Sequence, residues 1–361
     1  MTFPKEGIWL SIIFACYFAV LAITTMLNGP DPTRFIEFVL ISPFIYFIPL
    51  ALILPARCTD ISLKGVGRAA MIGTVPTALL ALAFSEMAGA SDRPGLATGN
   101  PNVLAALLLL QTFLCLAGWN DISRRERHLA FGCAAIGCVG LVFGAGSIGA
   151  SLAAGVLALI SLLFWSGTQT RQIRRMTLSI LFLVFLGSVF FVLPTIYGKI
   201  IGTMAEVADP EFGNWSTSHW TRLTLYRAAV LAIVDNPWIG LGQHLRYEGV
   251  LPYYAVQPPD YAYYTHMHNL FLTHGTAAGI PGMLAALSLF ISTLYMALRR
   301  AQPSMMVRWL GVTCASGLFL LGITETVLFH DLNTTFYMFL FVLVAVFSYQ
   351  AREEPQDGRS V

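Results

Sequence analysis

Apolar runs close to 20 residues long recur along the chain and alternate with short polar stretches. About 20 apolar residues in a helix cross a hydrocarbon core of ~30 Å. The pattern therefore predicts about ten transmembrane helices. They cover residues 8–27, 36–54, 66–85, 102–119, 128–145, 148–166, 177–197, 279–298, 309–329 and 334–350.

The composition agrees with this pattern. Of the 361 residues, 56% are hydrophobic and only 11% are charged, whereas soluble domains carry about 25% charged residues. We therefore expect an all-α polytopic membrane protein forming a single transmembrane domain over residues 1–361. The first apolar run is too long for a signal-peptide core, so we expect it to be retained as a span.

Lysine and arginine are concentrated in every second loop, and this alternation predicts the orientation. The basic loops follow spans two, four, six and eight and contain Arg57, Lys64, Arg68, Arg124, Arg125, Arg127, Arg171, Arg174, Arg175, Arg299, Arg300 and Arg308. Basic loops stay on the cytoplasmic side of a membrane. Both termini are therefore expected in the cytoplasm.

Residues 198–267 form a long loop that this topology places outside the cytoplasm. The stretch from Arg222 to Val234 predicts an amphipathic helix, which Pro237 ends before a glycine-containing turn that includes Gly242. Long loops between closely connected helices are more often functional than not.

Three histidines lie where this loop re-enters the membrane, in HMHNLFLTHG. His268 can act as a general base there; alternatively it is an interfacial histidine bonded to nearby backbone. Zinc ligation by His266, His268 and His274 is disfavoured, because residues two and six apart do not share a helix face. We expect no metal and no other cofactor.

Other candidates for the site are cations, an aromatic residue and a carboxylate. Arg222, Arg227 and Arg246 could bind phosphate, or they could serve solubility and ion pairing. Trp238 could stack on a sugar or belong to an interfacial belt. Glu325, near the outer end of the ninth span, is a functional candidate because buried carboxylates are costly in membranes; alternatively it reaches the interface.

Several of these stretches together resemble a known family. TRLTLYRAAVLAIVDNPWIGLGQ is similar to the arginine-containing loop helix of the O-antigen ligase and O-antigen polymerase superfamily. HNLFLTHGTAAG resembles the ligases' histidine and later glycine, here His268 and Gly279, and GITETVL resembles the superfamily's glutamate-bearing late span.

The resemblance implies a metal-independent glycosyltransferase whose donor is a glycan on a polyprenyl diphosphate. The acceptor would be a sugar hydroxyl of lipid A-core, at the outer side of the inner membrane. His268 would be the base on that hydroxyl, and Arg222 would stabilise the departing diphosphate. The expected substrate-binding residues are Arg227, Arg246, Gly242, Trp238, Glu325 and Gly279. The expected partners are the donor, the acceptor and the lipid bilayer, without nucleic acid.

One position departs from the family pattern. Where the family has an SRGA-like stretch with a phosphate-binding arginine, this chain has GAGSIGASL, with Ile148 in the arginine's place. Two other functions stay open: a polymerase that joins lipid-linked repeats, and a non-enzymatic flippase or transporter. The near absence of charged residues within the spans disfavours the transporter.

Overall fold

The computed structural model describes residues 3–29, 43–58, 60–88, 100–172, 174–175, 218–255, 266–300 and 304–353, and within them the regular structure is helical without strands. The α-helices are α1 (Lys5–Leu27), α2 (Pro43–Arg57), α3 (Leu63–Ala88), α4 (Pro101–Leu114), α5 (Arg124–Val139), α6 (Ile148–Gly167), α7 (Ser218–Asp235), α8 (Leu270–Tyr295), α9 (Met305–Thr324) and α10 (Asp331–Glu353). Two π-helical turns, Gly140–Ala145 and Met296–Arg300, continue α5 and α8, and 3-10 turns span Glu248–Tyr253 and Val327–Phe329.

The helices confirm an all-α polytopic membrane architecture. Among the described residues, seven helical segments are long and apolar enough to cross a membrane, and α2 and α4 are shorter apolar helices. The predicted span 177–197 and the loop residues 198–217 and 256–265 lie outside the described residues.

Local capping explains where several helices begin. The Asn100 side chain accepts a hydrogen bond from the Asn102 backbone at the start of α4, and Ser123 forms a capping box with Glu126 at the start of α5. Such caps satisfy amides that have no partner within the helix. At α8 the cap is Asn269, whose side chain accepts from the Leu272 backbone at 2.9 Å, so the helix begins nine residues before the predicted start at 279.

The packing brings three helix ends together. α8 packs against α1, α7 and α9, and α6 packs against α9. At the start of α6, a Cβ atom on Gly149 would lie 2.4 Å from the Thr324 Oγ1 atom at the end of α9, so glycine permits this close approach. The first turn of α6, the last turn of α9 and the first turn of α8 therefore surround one region.

The two glycine-containing motifs pack against each other. α8 is broken at Ala278 and Gly279, where the backbone leaves the helical conformation. The loop after α7 inserts its backbone at this break. Three backbone hydrogen bonds join them: Leu241 N to Thr276 O at 2.8 Å, Gly242 N to Ala277 O at 2.9 Å and Ile280 N to Pro237 O at 2.7 Å.

Gly279 is required at this break for two reasons. Its φ is +64°, which side chains disfavour, and a Cβ atom there would lie 2.3 Å from the Pro237 carbonyl oxygen. The segment from His268 to Gly279 therefore contains the first turns of α8 and ends at the break that anchors the α7 loop beside them.

Candidate functional site

The centre of the candidate site is the carboxylate of Glu325, at the end of α9. Glu325 leaves the helix with an extended backbone (φ −155°, ψ 156°) and is only 6% exposed. α9 therefore ends at Thr324, five residues before the predicted end of that span, and the carboxylate turns into the protein.

Both carboxylate oxygens of Glu325 accept hydrogen bonds. Oε1 accepts from His266 Nε2 at 3.0 Å and from the Thr326 backbone at 3.0 Å. Oε2 accepts from Asn102 Nδ2 at 2.7 Å and from His268 Nδ1 at 3.1 Å. An ionised carboxylate can only accept, so both histidines must present a protonated nitrogen to it.

These contacts determine the charge of the cluster. Burial opposes ionisation of Glu325, but the hydrogen bonds from His266 and His268 outweigh it and hold the pKa of Glu325 well below its usual range. Burial lowers the pKa of His266, although the bond to Glu325 acts in the opposite direction. Burial, followed by the neighbouring His266, lowers the pKa of His330 to about 4. At neutral pH the cluster thus contains one carboxylate and neutral rings at His266 and His330.

His268 is held in a strained backbone conformation. Its φ is +47°, the one positive value at a non-glycine residue in the described parts of the chain, and such conformations persist only where surrounding contacts fix them. The Tyr226 hydroxyl on α7 donates to the His268 carbonyl at 2.9 Å and approaches the Ile323 carbonyl at 3.4 Å. Asn269 donates to the same Ile323 carbonyl at 2.9 Å. These bonds fix His268 between α7 and α9.

A small polar cavity of about 110 Å³ adjoins the carboxylate, and Arg222 lines it together with Asn102, Ser147, Gly149, Thr324 and Glu325. Arg222 lies one turn before Tyr226 on α7, so the same helix carries the cation and the hydroxyl that holds His268. Arg222 has no ion-pair partner among the described residues.

The first turn of α6 forms another wall of the cavity. Its N-cap, Ser147, makes no side-chain capping bond, and the first amides of a helix attract anions. Ile148, which stands in place of the family arginine, also lines the cavity and is 80% exposed. A longer side chain at position 148 would therefore find room beside Arg222.

The remaining sequence-predicted cations occupy different environments. Arg246 is 3% exposed and lies with its Cζ atom 4.4 Å from the Phe329 ring centroid, and Phe329 in turn contacts the His266 ring at 5.2 Å. Arg246 is thus beside the histidine cluster. Arg227 is exposed on α7 and does not line the cavity.

Trp238, Gly242 and Gly279 belong to the junction between the α7 loop and α8. Trp238 is 71% exposed, and the two glycines make or permit the backbone contacts described above. Their predicted roles in substrate binding stay predictions.

The histidines divide differently from the expected grouping. His274 points away from the cluster: its Nδ1 donates to the Leu270 carbonyl at 2.7 Å, and its Nε2 pairs with the Tyr17 hydroxyl. His330, which sequence reasoning did not select, joins the cluster instead, with its ring centroid 5.6 Å from that of His266. Three residues are close enough to share a metal ion, because one potential ligand atom of each lies within 4.8 Å of the others: His266, Glu325 and His330.

Residues 133–287 match a family model described as O-antigen ligase. This segment of the chain is therefore similar to the O-antigen ligase superfamily, and the match supports the resemblance seen in the sequence. Members of this superfamily are glycosyltransferase-like enzymes of ligase or polymerase type that act on lipid-linked glycans in a bacterial membrane. A comparison with curated proteins gives no significant match.

The segment that matches the O-antigen ligase model contains Arg222, Tyr226 and His268, whereas Glu325 lies beyond it. Asn102 and His330 also lie outside the match. Sequence reasoning missed Asn102 and His330. The available signals were a polar residue at the apolar start of span four and a histidine close after Glu325.

Proposed function

We propose that the protein is an O-antigen ligase that moves a glycan from a polyprenyl diphosphate carrier to a sugar hydroxyl of lipid A-core. The observation that carries this proposal is the pairing of His268 with the buried carboxylate of Glu325, at 3.1 Å, beside a cavity lined by Arg222. A base held by a carboxylate next to a cation is suited to deprotonating an alcohol while an anionic group departs.

In this mechanism His268 activates the acceptor. Because Nδ1 donates to Glu325, Nε2 is the ring nitrogen whose lone pair removes the hydroxyl proton. The acceptor oxygen then attacks the anomeric carbon of the donor sugar, and the bond from that carbon to the diphosphate oxygen breaks. Glu325 stabilises the imidazolium that forms, as a carboxylate does in hydrolase triads.

Arg222 stabilises the leaving group in the same step. The polyprenyl diphosphate gains negative charge as the bond breaks, and a guanidinium can donate two parallel hydrogen bonds to phosphate oxygens. The amides at the start of α6, which also lines the cavity, supply further donors. The exposed Trp238 is proposed to contact a more distant part of a glycan substrate, and the buried Arg246 is proposed to add positive charge beside the histidine cluster.

The site is proposed to face the periplasm, with both termini in the cytoplasm. Single cysteines at Trp238 and Arg124, in a variant without native cysteines, would be exposed to a membrane-impermeant thiol reagent in intact spheroplasts. We expect labelling at position 238 alone, because Arg124 begins a basic loop. Labelling at position 124 alone would contradict the orientation.

The function itself is tested by lipid analysis of a strain that lacks the gene. Loss of a ligase leaves full-length glycan on the polyprenyl carrier, whereas loss of a polymerase leaves single repeats joined to lipid A-core. We expect the first result, reversed by the wild-type gene and not by His268→Ala or Arg222→Gln. The matched controls are His128→Ala and Arg171→Gln, which change exposed residues away from the cavity. Single repeats on lipid A-core would instead identify a polymerase.

A further inference from the structure

The histidine cluster contains more potential metal ligands than transfer chemistry uses. Catalysis as proposed requires His268 and Glu325, and leaves His266 and His330 without a role. His266 and His330 nevertheless surround the same carboxylate, with the ring of His266 4.6 Å from that of His268 and 5.6 Å from that of His330.

We propose that His266, Glu325 and His330 form a binding site for a divalent transition metal of the zinc type, and that metal bound there inhibits transfer. Two imidazoles and a carboxylate are an established zinc ligand set. Ligands at about 2.1 Å from a tetrahedral ion lie ~3.4 Å apart. His266 Nε2 and Glu325 Oε1 are already 3.0 Å apart, and one ligand atom from each of the three residues lies within 4.8 Å of the others. Small side-chain adjustments therefore suffice, provided that the His266 ring carries its proton on Nδ1 instead of Nε2 when the metal binds.

The hydrogen bonding of the His330 ring is a second, independent indication of a bound ligand. Its Nε2 atom is buried and has no hydrogen-bond partner among the described residues. Burying a polar nitrogen without a partner is unfavourable. Coordination of a metal by the ring would compensate for this desolvation.

The charge of the cluster also suits a cation. Glu325 offers a carboxylate and His266 and His330 offer imidazoles, and a cation binds the deprotonated carboxylate and the lone pair of each ring. The nearby Arg246 guanidinium opposes the cation and limits the affinity. A bound metal exchangeable with added chelator is therefore expected.

Inhibition follows from the shared carboxylate and rests on the proposed function. Glu325 Oε1 would coordinate the metal while Oε2 still faces His268. A divalent ion there neutralises the carboxylate and repels the imidazolium that forms at His268 during transfer. We expect transfer to slow at least about tenfold when the site is filled.

Metal binding is tested without reference to activity. The full chain, purified in detergent without a polyhistidine tag and treated with chelator, is titrated with Co²⁺ and then with Zn²⁺. We expect one Co²⁺ per chain with the intense visible absorption of a four-coordinate ion, displaced by Zn²⁺. His330→Gln and His266→Gln should lose this signal, whereas His128→Gln, which changes an exposed histidine on α5, should retain it. Absence of the signal in the wild type, or its retention in His330→Gln, would overturn the site.

Inhibition is then measured as the ratio of transfer with Zn²⁺ to transfer in chelator, separately for each variant. For the wild type, transfer with Zn²⁺ should be at least about tenfold slower than transfer in chelator. For His330→Gln the two rates should be nearly equal. If one metal ion binds per chain and the wild type still transfers glycan equally fast with Zn²⁺ and in chelator, the proposed inhibition is refuted. A chain inactive in chelator would contradict the proposed function, while the cobalt titration would still decide the metal site.

Discussion

Glu325→Gln tests how the site activates its base. Glutamine has nearly the same shape but no charge, so the imidazolium formed at His268 loses a charge-assisted hydrogen bond. Such bonds contribute ~1.5–3 kcal/mol and neutral ones ~0.5–1.5 kcal/mol. If the amide oxygen keeps the bond at 3.1 Å, the barrier rises by about 1 kcal/mol and kcat falls about fivefold. If the amide nitrogen faces His268, the bond is lost and kcat falls about 10- to 150-fold.

The assay is transfer by purified protein in nanodiscs, from a polyprenyl diphosphate-linked glycan to lipid A-core, with kcat and KM determined separately and chelator present. The fall should be in kcat, since Glu325 acts on His268 in the transition state. Glu325→Asp keeps the charge and should retain more activity. The matched control is Glu353→Gln, at the exposed end of α10. A kcat of Glu325→Gln within about twofold of the wild type would refute the reasoning.

Three further changes probe the supports of the site. Tyr226→Phe removes the donor to the His268 carbonyl and should lower kcat about 2- to 10-fold; unchanged kinetics would show that His268 is held without it. Gly279→Ala places a Cβ atom 2.3 Å from the Pro237 oxygen and should destabilise the protein by ~1–3 kcal/mol in thermal unfolding, whereas Gly155→Ala, where the added atom meets nothing within 4 Å, should not. Ile148→Arg should partly restore transfer to Arg222→Gln, because both positions line the same cavity; no recovery would place the diphosphate elsewhere.

Much of the architecture could be predicted from the sequence because membrane spans follow directly from runs of apolar residues. The ends of α8 and α9 could not. Asn269 caps α8 through a local hydrogen bond, and the helix then continues across a break at Gly279 that a hydropathy pattern reads as a boundary. α9 ends early because Glu325 turns inward to partners that are distant in sequence.

Individual site residues were easier to select than their partners. His268 and Glu325 are conspicuous as polar residues near the edges of apolar spans, and Arg222 begins the amphipathic stretch of the long loop. Their partners are not conspicuous, because Asn102 is 223 residues from Glu325 and reaches it only through packing of α4 against α9. The spacing rule for a single helix does not apply to His266 and His268, which precede α8 and both contact Glu325 although the rule expects them to diverge. It also cannot detect His330, which is brought in by the turn before α10.

The most direct test of the account is single-turnover transfer by His268→Ala in nanodiscs, beside wild type and His128→Ala, with donor binding measured in the same preparations. Loss of the general base should slow transfer ~10²–10⁴-fold while donor binding is retained and His128→Ala behaves as wild type. Transfer by His268→Ala at a rate close to the wild-type rate would contradict the central claim that this histidine activates the acceptor.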